Sequence, residues 1–465
     1  MGQGSWLTIS FEYLLGRSTV SERLAPGRIA KLLPSVAEFA YNWLKTEGYL
    51  RNVRIYNASS MGGRMSEAKA PLNGVRILDL TRVLSGPYCT LTLGDLGAEI
   101  IKIEEPTRGD DVRAMHISEQ HGISSYFLGL NRNKKSVAID FRTPEGREII
   151  LELAQRSDVI VENFRAGVLE RNGLGYDTIS KVNPAVIYCA ISGYGREGPD
   201  KDRPGYDPVV QAESGLMSLT GEPDGDGMRT GIAIVDIITG LFASEAILAA
   251  LYERERSGEG QSIDVPLFDT AINMLNHAAM AFLLDGRVIN RVGNSNQTAM
   301  PVGVYHAADG AFSLAMTNDR LFNKFCHEVL QRPELAEAPA YRDNSSRVKN
   351  RVQLDAVLGE IFATNKCDQW LERCAKAGIP AGPIRDVSEA LTSPEVRRRE
   401  LITYAEHSSA GRIAQVRSPM RLSRTPVVAP TAAPLLGEHT AEVLRDLLGR
   451  DAETMARLQQ TGTIR

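Results

Sequence analysis

From Val75 onward the chain alternates short apolar runs with amphipathic stretches of helical period. Five runs of four to six residues carry the first signal: Val75–Leu80, Glu99–Ile103, Ser136–Asp140, Asp158–Val161 and Ala185–Ala190. They are rich in Val and Ile and lack the strict polar alternation of a half-exposed strand, which predicts strands covered on both faces. Between the third and fourth runs, Thr143–Ala154 opens with Thr, Pro and Glu, a cap, a preset first turn and a charge suited to the helix N-terminus. Strand, helix and strand in series predict βαβ units and a parallel sheet. The longest apolar-periodic stretch, Ile234–Arg256, is closed by Ser257-Gly-Glu-Gly260 and followed by a strand candidate at Gln261–Val265.

The character of the chain changes three times. Residues 1–70 are broken by Gly, Pro and Arg and show weak helical periodicity only near Val36–Leu44; Met65-Ser-Glu-Ala-Lys reads as a natural start, so 1–64 form an extension or a mis-assigned beginning. Residues 71–270, rejoined by 396–465, are expected to form a large α/β domain. Residues 290–395, with a polar Gly293-Asn-Ser-Asn loop, a hairpin turn at Ala308-Asp309-Gly310 and amphipathic helices, predict a smaller α+β domain. The Pro-rich tail (Pro419, Pro426, Pro430, Pro434) is expected to run extended until a final helix near Glu438–Leu448.

With 465 residues, 43% of them hydrophobic and 24% charged, the chain can bury a sizeable core. A net charge of −4 with both signs interspersed offers no long-range field for nucleic acid or an anionic membrane, so any anionic ligand must be held locally. The five cysteines (89, 189, 326, 367 and 374) form no C-x-x-C pair, which points to a reducing, cytoplasmic setting. No run approaches the roughly 18 consecutive apolar residues of a membrane span.

The turn after the first strand, Thr81-Arg-Val-Leu-Ser-Gly-Pro-Tyr88, is not the G-x-G-x-x-G of a dinucleotide site. Phosphate loops, serine-hydrolase elbows and zinc motifs are also missing, and the seven histidines have no triad or metal spacing, so no metal site is expected. What stands out is Asp236, a charge inside Gly231-Ile-Ala-Ile-Val-Asp-Ile-Ile-Thr-Gly240 at the start of a helix. An isolated buried carboxylate is costly. Two readings fit it: an N-cap that bonds first-turn amides, or a nucleophile kept near a helix N-terminus. Asp207 and Glu213 could orient it, and neither is assigned a catalytic role.

A series of ordered motifs then resembles the class III CoA-transferase family, which includes formyl-CoA transferase and carnitine CoA-transferase (CaiB/BaiF type). They are Leu72-Asn-Gly-Val-Arg-Ile-Leu-Asp-Leu-Thr81, Ser85-Gly-Pro87, Leu93-Gly-Asp-Leu-Gly-Ala98, Ile101-Lys-Ile-Glu104, Asn131-Arg-Asn-Lys-Lys-Ser136, Val161-Glu-Asn-Phe164 and Ser192-Gly-Tyr-Gly195. The series continues through Pro204-Gly-Tyr-Asp207, Ser257-Gly-Glu-Gly-Gln261, Gly378-Ile-Pro-Ala-Gly-Pro383 and Leu436-Gly-Glu-His-Thr440. The resemblance implies a Rossmann-like large domain, a smaller α+β domain and two chains interlocked as rings in a homodimer. By motif position it puts the catalytic carboxylate on Asp236, which would form a mixed anhydride and then a CoA thioester. Coenzyme A and small carboxylic acids would be substrates, with no permanently bound cofactor.

The same resemblance places CoA contacts at Leu84 and Ser85, at Ile139, Asp140, Phe141 and Arg142, at Asn163, Phe164, Arg165 and Arg171, and at Arg203 and Tyr206. The three arginines 142, 165 and 171 suit phosphates because guanidinium offers forked donors. Where some members carry a basic residue, this chain has Glu105. Related racemases carry His-Asp where this chain has Tyr206-Asp207, which disfavours an acyl-CoA racemase or isomerase. Succinyl-CoA with a dicarboxylate acceptor is the expected pair; formyl-CoA with oxalate is the alternative, although the Gly-rich loop of formyl-CoA transferases has no counterpart in Gly293–Gly303.

Overall fold

The computed structural model describes residues 69–116, 119–120 and 122–465, and a short antiparallel pair, Leu7–Thr8 with Arg23–Leu24. The expectations for residues 1–64 otherwise lie outside the described residues.

Six parallel strands form the central sheet. In chain order they are β1 (Arg76–Asp79), β2 (Glu99–Glu104), β3 (Lys134–Ala138), β4 (Val159–Glu162), β5 (Ile187–Ser192) and β6 (Gln261–Pro266). They lie side by side as β3-β2-β1-β4-β5-β6. This is the doubly wound order, and its direction reverses between β1 and β4, where such folds open a crevice at the strands' C-terminal ends. Ile77, Leu78, Ile160, Val161 and Ile187 are fully buried, as unbroken apolar runs require.

Helices cover both faces. On one, Pro144–Gln155 starts where expected, with Thr143 Oγ1 accepting from Gly146 N at 3.0 Å. On the other, α1 (Ser85–Asp95) packs on the 24-residue α2 (Ile234–Ser257), whose inner face is a stripe of Val235, Thr239, Ala243 and Ile247. Gly240 makes the approach possible: a Cβ there would lie 2.5 Å from the Ser85 carbonyl oxygen. By length and a mean hydropathy of 1.9 this helix could cross a membrane, but that stripe is in the core.

Beyond the sheet, β7 (Val302–Ala307) and β8 (Gly310–Ala315) form a two-residue hairpin at Ala308-Asp309, and β9 (Ala381–Pro383) adds to β8 antiparallel. Helices between residues 319 and 377 cover this small sheet around Phe312, Phe362 and Trp370. Residues 419–435 carry no helix or strand, as expected of the Pro-rich run, and the expected helix follows as α3 (Thr440–Leu448). A hairpin, β10 (Ile402–His407) with β11 (Gly411–Val416), precedes that run, and a further helix, α4 (Ala452–Gln460), follows α3. Val443, Leu444, Leu458 and Ile464 return the chain to the core of the large sheet.

The crevice end of the sheet stands on buried charge. Asp79 takes Thr81 Oγ1, Thr90 Oγ1 and Lys134 Nζ, the lysine at 3.1 Å, while Lys102 Nζ lies 2.9 Å from Asp110 and donates to the Thr81 carbonyl. Burial alone would raise Asp79, but the two lysines and two hydroxyls hold it below the usual carboxylate range. Burial pushes Lys134 down to about 8, with Asp79 opposing. Asp110 also accepts from Val83 N at 3.0 Å, which fixes a valine at φ +69°. A β-branched residue in that region is strained by about 1–3 kcal/mol and persists only when its surroundings over-determine it.

Lys102→Met leaves Asp110 buried without its cation. The expected loss is about 3–5 kcal/mol of unfolding free energy, read as a lower urea midpoint at unchanged slope.

Candidate active site

Three loops meet where the strand order reverses. After β1 the chain passes through Arg82, Val83 and Leu84 into α1; after β4 come Asn163, Phe164 and Arg165; after β5 come Arg203 to Tyr206. They enclose a cleft of about 130 Å³ that reaches Asp236. The first two loops are stitched together, since Arg82 N donates to Asn163 Oδ1 at 2.9 Å and Asn163 Nδ2 to the Arg82 carbonyl at 2.7 Å. A second hollow of about 230 Å³ opens beside it, lined by Ile139, Asp140, Phe141 and Arg142. Phe164 borders both, edge-on to Phe141 at 5.6 Å.

Asp236 lies in the first turn of α2, but it is not the cap of that helix. Asp207, from 29 residues upstream, accepts from Val235 N at 2.8 Å and Asp236 N at 3.2 Å. Gln211 Nε2 holds the other oxygen of Asp207 at 2.6 Å, and Gln211 Oε1 accepts from Thr230 N. The capping reading of Asp236 is thereby corrected: the helix end is satisfied by a different carboxylate. Burial first, and the Asp207 charge second, push Asp236 up to about 7, while the Ser85 hydroxyl opposes the rise. A carboxylate so placed is partly ionised at neutral pH and retains unusual basicity.

Leu84, Ser85, Asn163, Phe164, Arg165, Arg203 and Tyr206 all line the cleft with Asp236, whereas Ile139, Asp140, Phe141 and Arg142 line the second hollow. Arg171 lines neither; it ends a four-residue helix after β4. Arg142 is already engaged by Asp140 at 2.7 Å and lies 3.7 Å from Glu105. Arg203 is held by Asp200 and Glu213 and stacks 4.3 Å over Tyr194. Of the two acidic residues left unassigned, Asp207 touches the Asp236 helix and Glu213 serves Arg203 and the Tyr194 hydroxyl instead. Among the described residues no group of three or more His, Cys, Asp or Glu could hold a metal ion.

Several residues escaped the sequence reading, Arg82 and Asp111 at the cleft among them. Tyr126, in a short helix capped by Ser124, is raised by burial and then by the Asp236, Asp207 and Asp110 charges, so its hydroxyl shares the electrostatics of the site. Its sequence signal was only proximity to the Asn131–Ser136 motif. Lys201 also lines the cleft; it lies between motifs and carries no local signature.

The doubly wound sheet opens a cleft at its switch point, and that cleft ends on a carboxylate of raised basicity with arginine and lysine around the opening. The chain belongs to CoA-transferase family III, whose family model matches residues 72–440, and it is a CoA-transferase of this class. It is 40% identical over 398 residues to succinyl-CoA:glutarate CoA-transferase of Mus musculus, spanning 86% of this chain and 91% of that protein. It is 37% identical to acetyl-CoA:oxalate CoA-transferase of Acetobacter aceti, over 83% of this chain and 98% of that one. A CaiB/BaiF family protein from Brucella suis superposes with a TM-score of 0.74 at 38% identity, covering 82% of this chain and all of the other.

A nucleophilic role for Asp236 would require its ionised form, and the expected outcome is that turnover falls as pH drops through about 7. Asp207→Asn removes the neighbouring charge while leaving an amide oxygen to cap the helix. The acid limb of the kcat/KM profile then moves to lower pH; an unmoved limb would show that another group sets it.

Proposed function

We propose that this enzyme moves CoA from succinyl-CoA to a dicarboxylate acceptor of glutarate size, with Asp236 as the covalent relay. The carrying observation is a carboxylate of raised basicity at the base of the switch-point cleft, in a chain 40% identical to a succinyl-CoA:glutarate CoA-transferase. An Asp236 oxygen attacks the thioester carbonyl, the C–S bond breaks, and CoA thiolate leaves behind a mixed anhydride. The thiolate then attacks the aspartyl carbonyl and the donor carboxylate departs, leaving Asp236 as a thioester. Acceptor carboxylate attacks that thioester and expels thiolate again, which finally attacks the acceptor's acyl carbon and frees Asp236. Each step exchanges one anion for another, so no net proton, electron or metal is needed.

CoA binding is assigned to the two adjoining hollows. Leu84, Ser85, Asn163, Arg165, Arg203 and Tyr206 take the thioester end and pyrophosphate, while Ile139, Asp140, Phe141 and Arg142 receive the nucleotide end. The flat apolar faces of Phe141 and Phe164 suit a stacked base. Arg171, outside both hollows, is left for a phosphate projecting beyond them. The related acetyl-CoA:oxalate enzyme supports oxalate as the second acceptor reading.

A homodimer accompanies this reading. The helix Asn276–Asp285 leaves Met280, Phe282, Leu283 and Leu284 between 50% and 77% exposed, a contiguous apolar stripe that a second copy would cover. Sedimentation at micromolar concentration is expected to give twice the chain mass.

Incubation with succinyl-CoA followed by hydroxylamine or borohydride trapping should label the peptide containing Asp236. Asp236→Ala should lose the label and at least about 1,000-fold in turnover. Label elsewhere, or retained turnover, would displace Asp236 from the relay. Glutarate accepted at much higher kcat/KM than oxalate supports the dicarboxylate pair, and the reverse order selects oxalate.

A further inference from the structure

The loops that follow β4 and β5 face each other across the cleft, and a partly buried arginine joins them. Arg196 lies on the β5 loop, seven residues before Arg203. Its guanidinium crosses to Glu162, the last residue of β4, and with its other arm to Glu170 in the short helix of the β4 loop. Glu162 is fully buried and also accepts from Phe164 N at 2.7 Å, so the same carboxylate sets the backbone of the cleft-lining phenylalanine. At its own end, Arg196 N donates to Asp264 Oδ2 on β6 at 3.1 Å, and Ser192 Oγ fixes the turn by accepting from Gly195 N at 3.0 Å. Arg196 therefore lines neither hollow but is bonded to both of the loops that do.

We propose that Arg196 is a positioning residue for CoA: through Glu162 and Glu170 it sets the spacing between the loop carrying Asn163, Phe164 and Arg165 and the loop carrying Arg203 and Tyr206. This rests on the reading of the cleft as the CoA site. Exposed loops bearing arginines lose rotational freedom on binding an anion, and an internal ion-pair tie meets part of that entropy before the ligand arrives. Cutting the tie weakens binding while leaving the Asp236 chemistry in place.

The pair also titrates. Burial first pushes Glu162 up to about 7; Arg196 opposes the rise, and Glu170 and Asp264 add to it. Tyr188 and Cys189, neighbours on β5, are themselves raised, by burial first and the Glu162 charge second, and stay neutral in this range. As pH falls from 8 to 6 Glu162 takes up a proton, the tie weakens and CoA binding weakens with it. The sign for folding is opposite: a carboxyl raised in the folded state is more stable protonated, so Glu162→Gln costs little or no stability at pH 8.

Free CoA is titrated calorimetrically into the full-length wild type, Arg196→Met, Arg196→Lys and Glu162→Gln at pH 6 and 8, with melting curves and steady-state kinetics alongside. Expected for Arg196→Met is a Kd for CoA raised about tenfold or more, with kcat at saturating thioester changed less than about threefold. Arg196→Lys should recover part of the affinity. Glu162→Gln should bind weakly at both pH values, without the wild type's loss between 8 and 6 and without a lower melting temperature. A folded Arg196→Met with a Kd within twofold of wild type overturns the proposal. Should that variant fail to melt cooperatively, Arg196→Lys and Glu162→Gln decide by the same twofold criterion. A wild type that binds no CoA sinks the reading of the cleft itself, a result separate from any difference among variants.

Discussion

Buried ion pairing under one turn governs where the reactive groups of this protein stand. Asp79 with Lys134 and Lys102 with Asp110 form a chain of alternating charge inside the sheet, and its last member grips Val83. From that strained residue the backbone enters α1 in one direction only. Gly86 lies so near Thr81 that an added Cβ would be 2.3 Å from the threonine Cβ, and Ser85 presses its carbonyl on Gly240 of α2. The position of α2, and so of Asp236 one turn from that contact, follows from charges that never meet a ligand. Apolar replacements could stabilise such a core more cheaply. Here the pairs serve geometry, because a carboxylate can hold an amide in an unfavoured conformation and a methyl group cannot.

Much of this fold was legible because strands buried on both faces leave uninterrupted apolar runs, and because Thr143-Pro and Ser257-Gly mark helix ends by chemistry that acts locally. The legible part stopped where partners are distant. The third strand starts at Lys134, two residues before its expected beginning, since Lys134, Lys135 and Ser136 look polar until Asp79, Glu99 and Glu104 are brought opposite them. The β10–β11 hairpin turns through His407-Ser-Ser-Ala-Gly411, a stretch that reads as loop, and only its pairing reveals the strands. Asp236 itself was visible as a charge in an apolar frame. Its environment was not, because both the cap from Asp207 and the proximity of Tyr126 are tertiary. Assignment of CoA chemistry came from the ordered motifs, which periodicity alone could not supply.

The sheet order is that of dinucleotide-binding folds, yet the turn after β1 has no glycine fingerprint and places Val83, Leu84 and Ser85 where a pyrophosphate would otherwise approach backbone amides. On the proposed reading, phosphate affinity in this cleft comes from side chains: Arg82, Arg165, Lys201 and Arg203 all border it. Side chains need anchoring, and the anchors are present. Arg82 lies over Phe164 and 3.3 Å from Asp111, while Arg203 is flanked by Tyr194 and Glu213. Where a dinucleotide fold would offer a rigid backbone cradle, the cleft thus presents two guanidinium groups, Arg82 and Arg203, held by neighbouring carboxylates and rings.

The division of labour at the start of α2 bears on the energetics of acyl exchange. Because Asp207 occupies the first amides of the helix, the stabilisation a helix end gives to negative charge goes to a spectator, and Asp236 keeps its proton affinity. A carboxylate more basic than those of ordinary organic acids holds an acyl group more firmly than they do, so on the proposed route the anhydride partitions toward release of the substrate acid. The same bias runs against the last step, in which thiolate must expel Asp236 from the acceptor anhydride, so that step depends on the cleft placing the thiolate against the acceptor's acyl carbon. Because the two half-reactions mirror each other, the bias cancels over a full turnover, which suits an enzyme whose substrates and products are chemically alike.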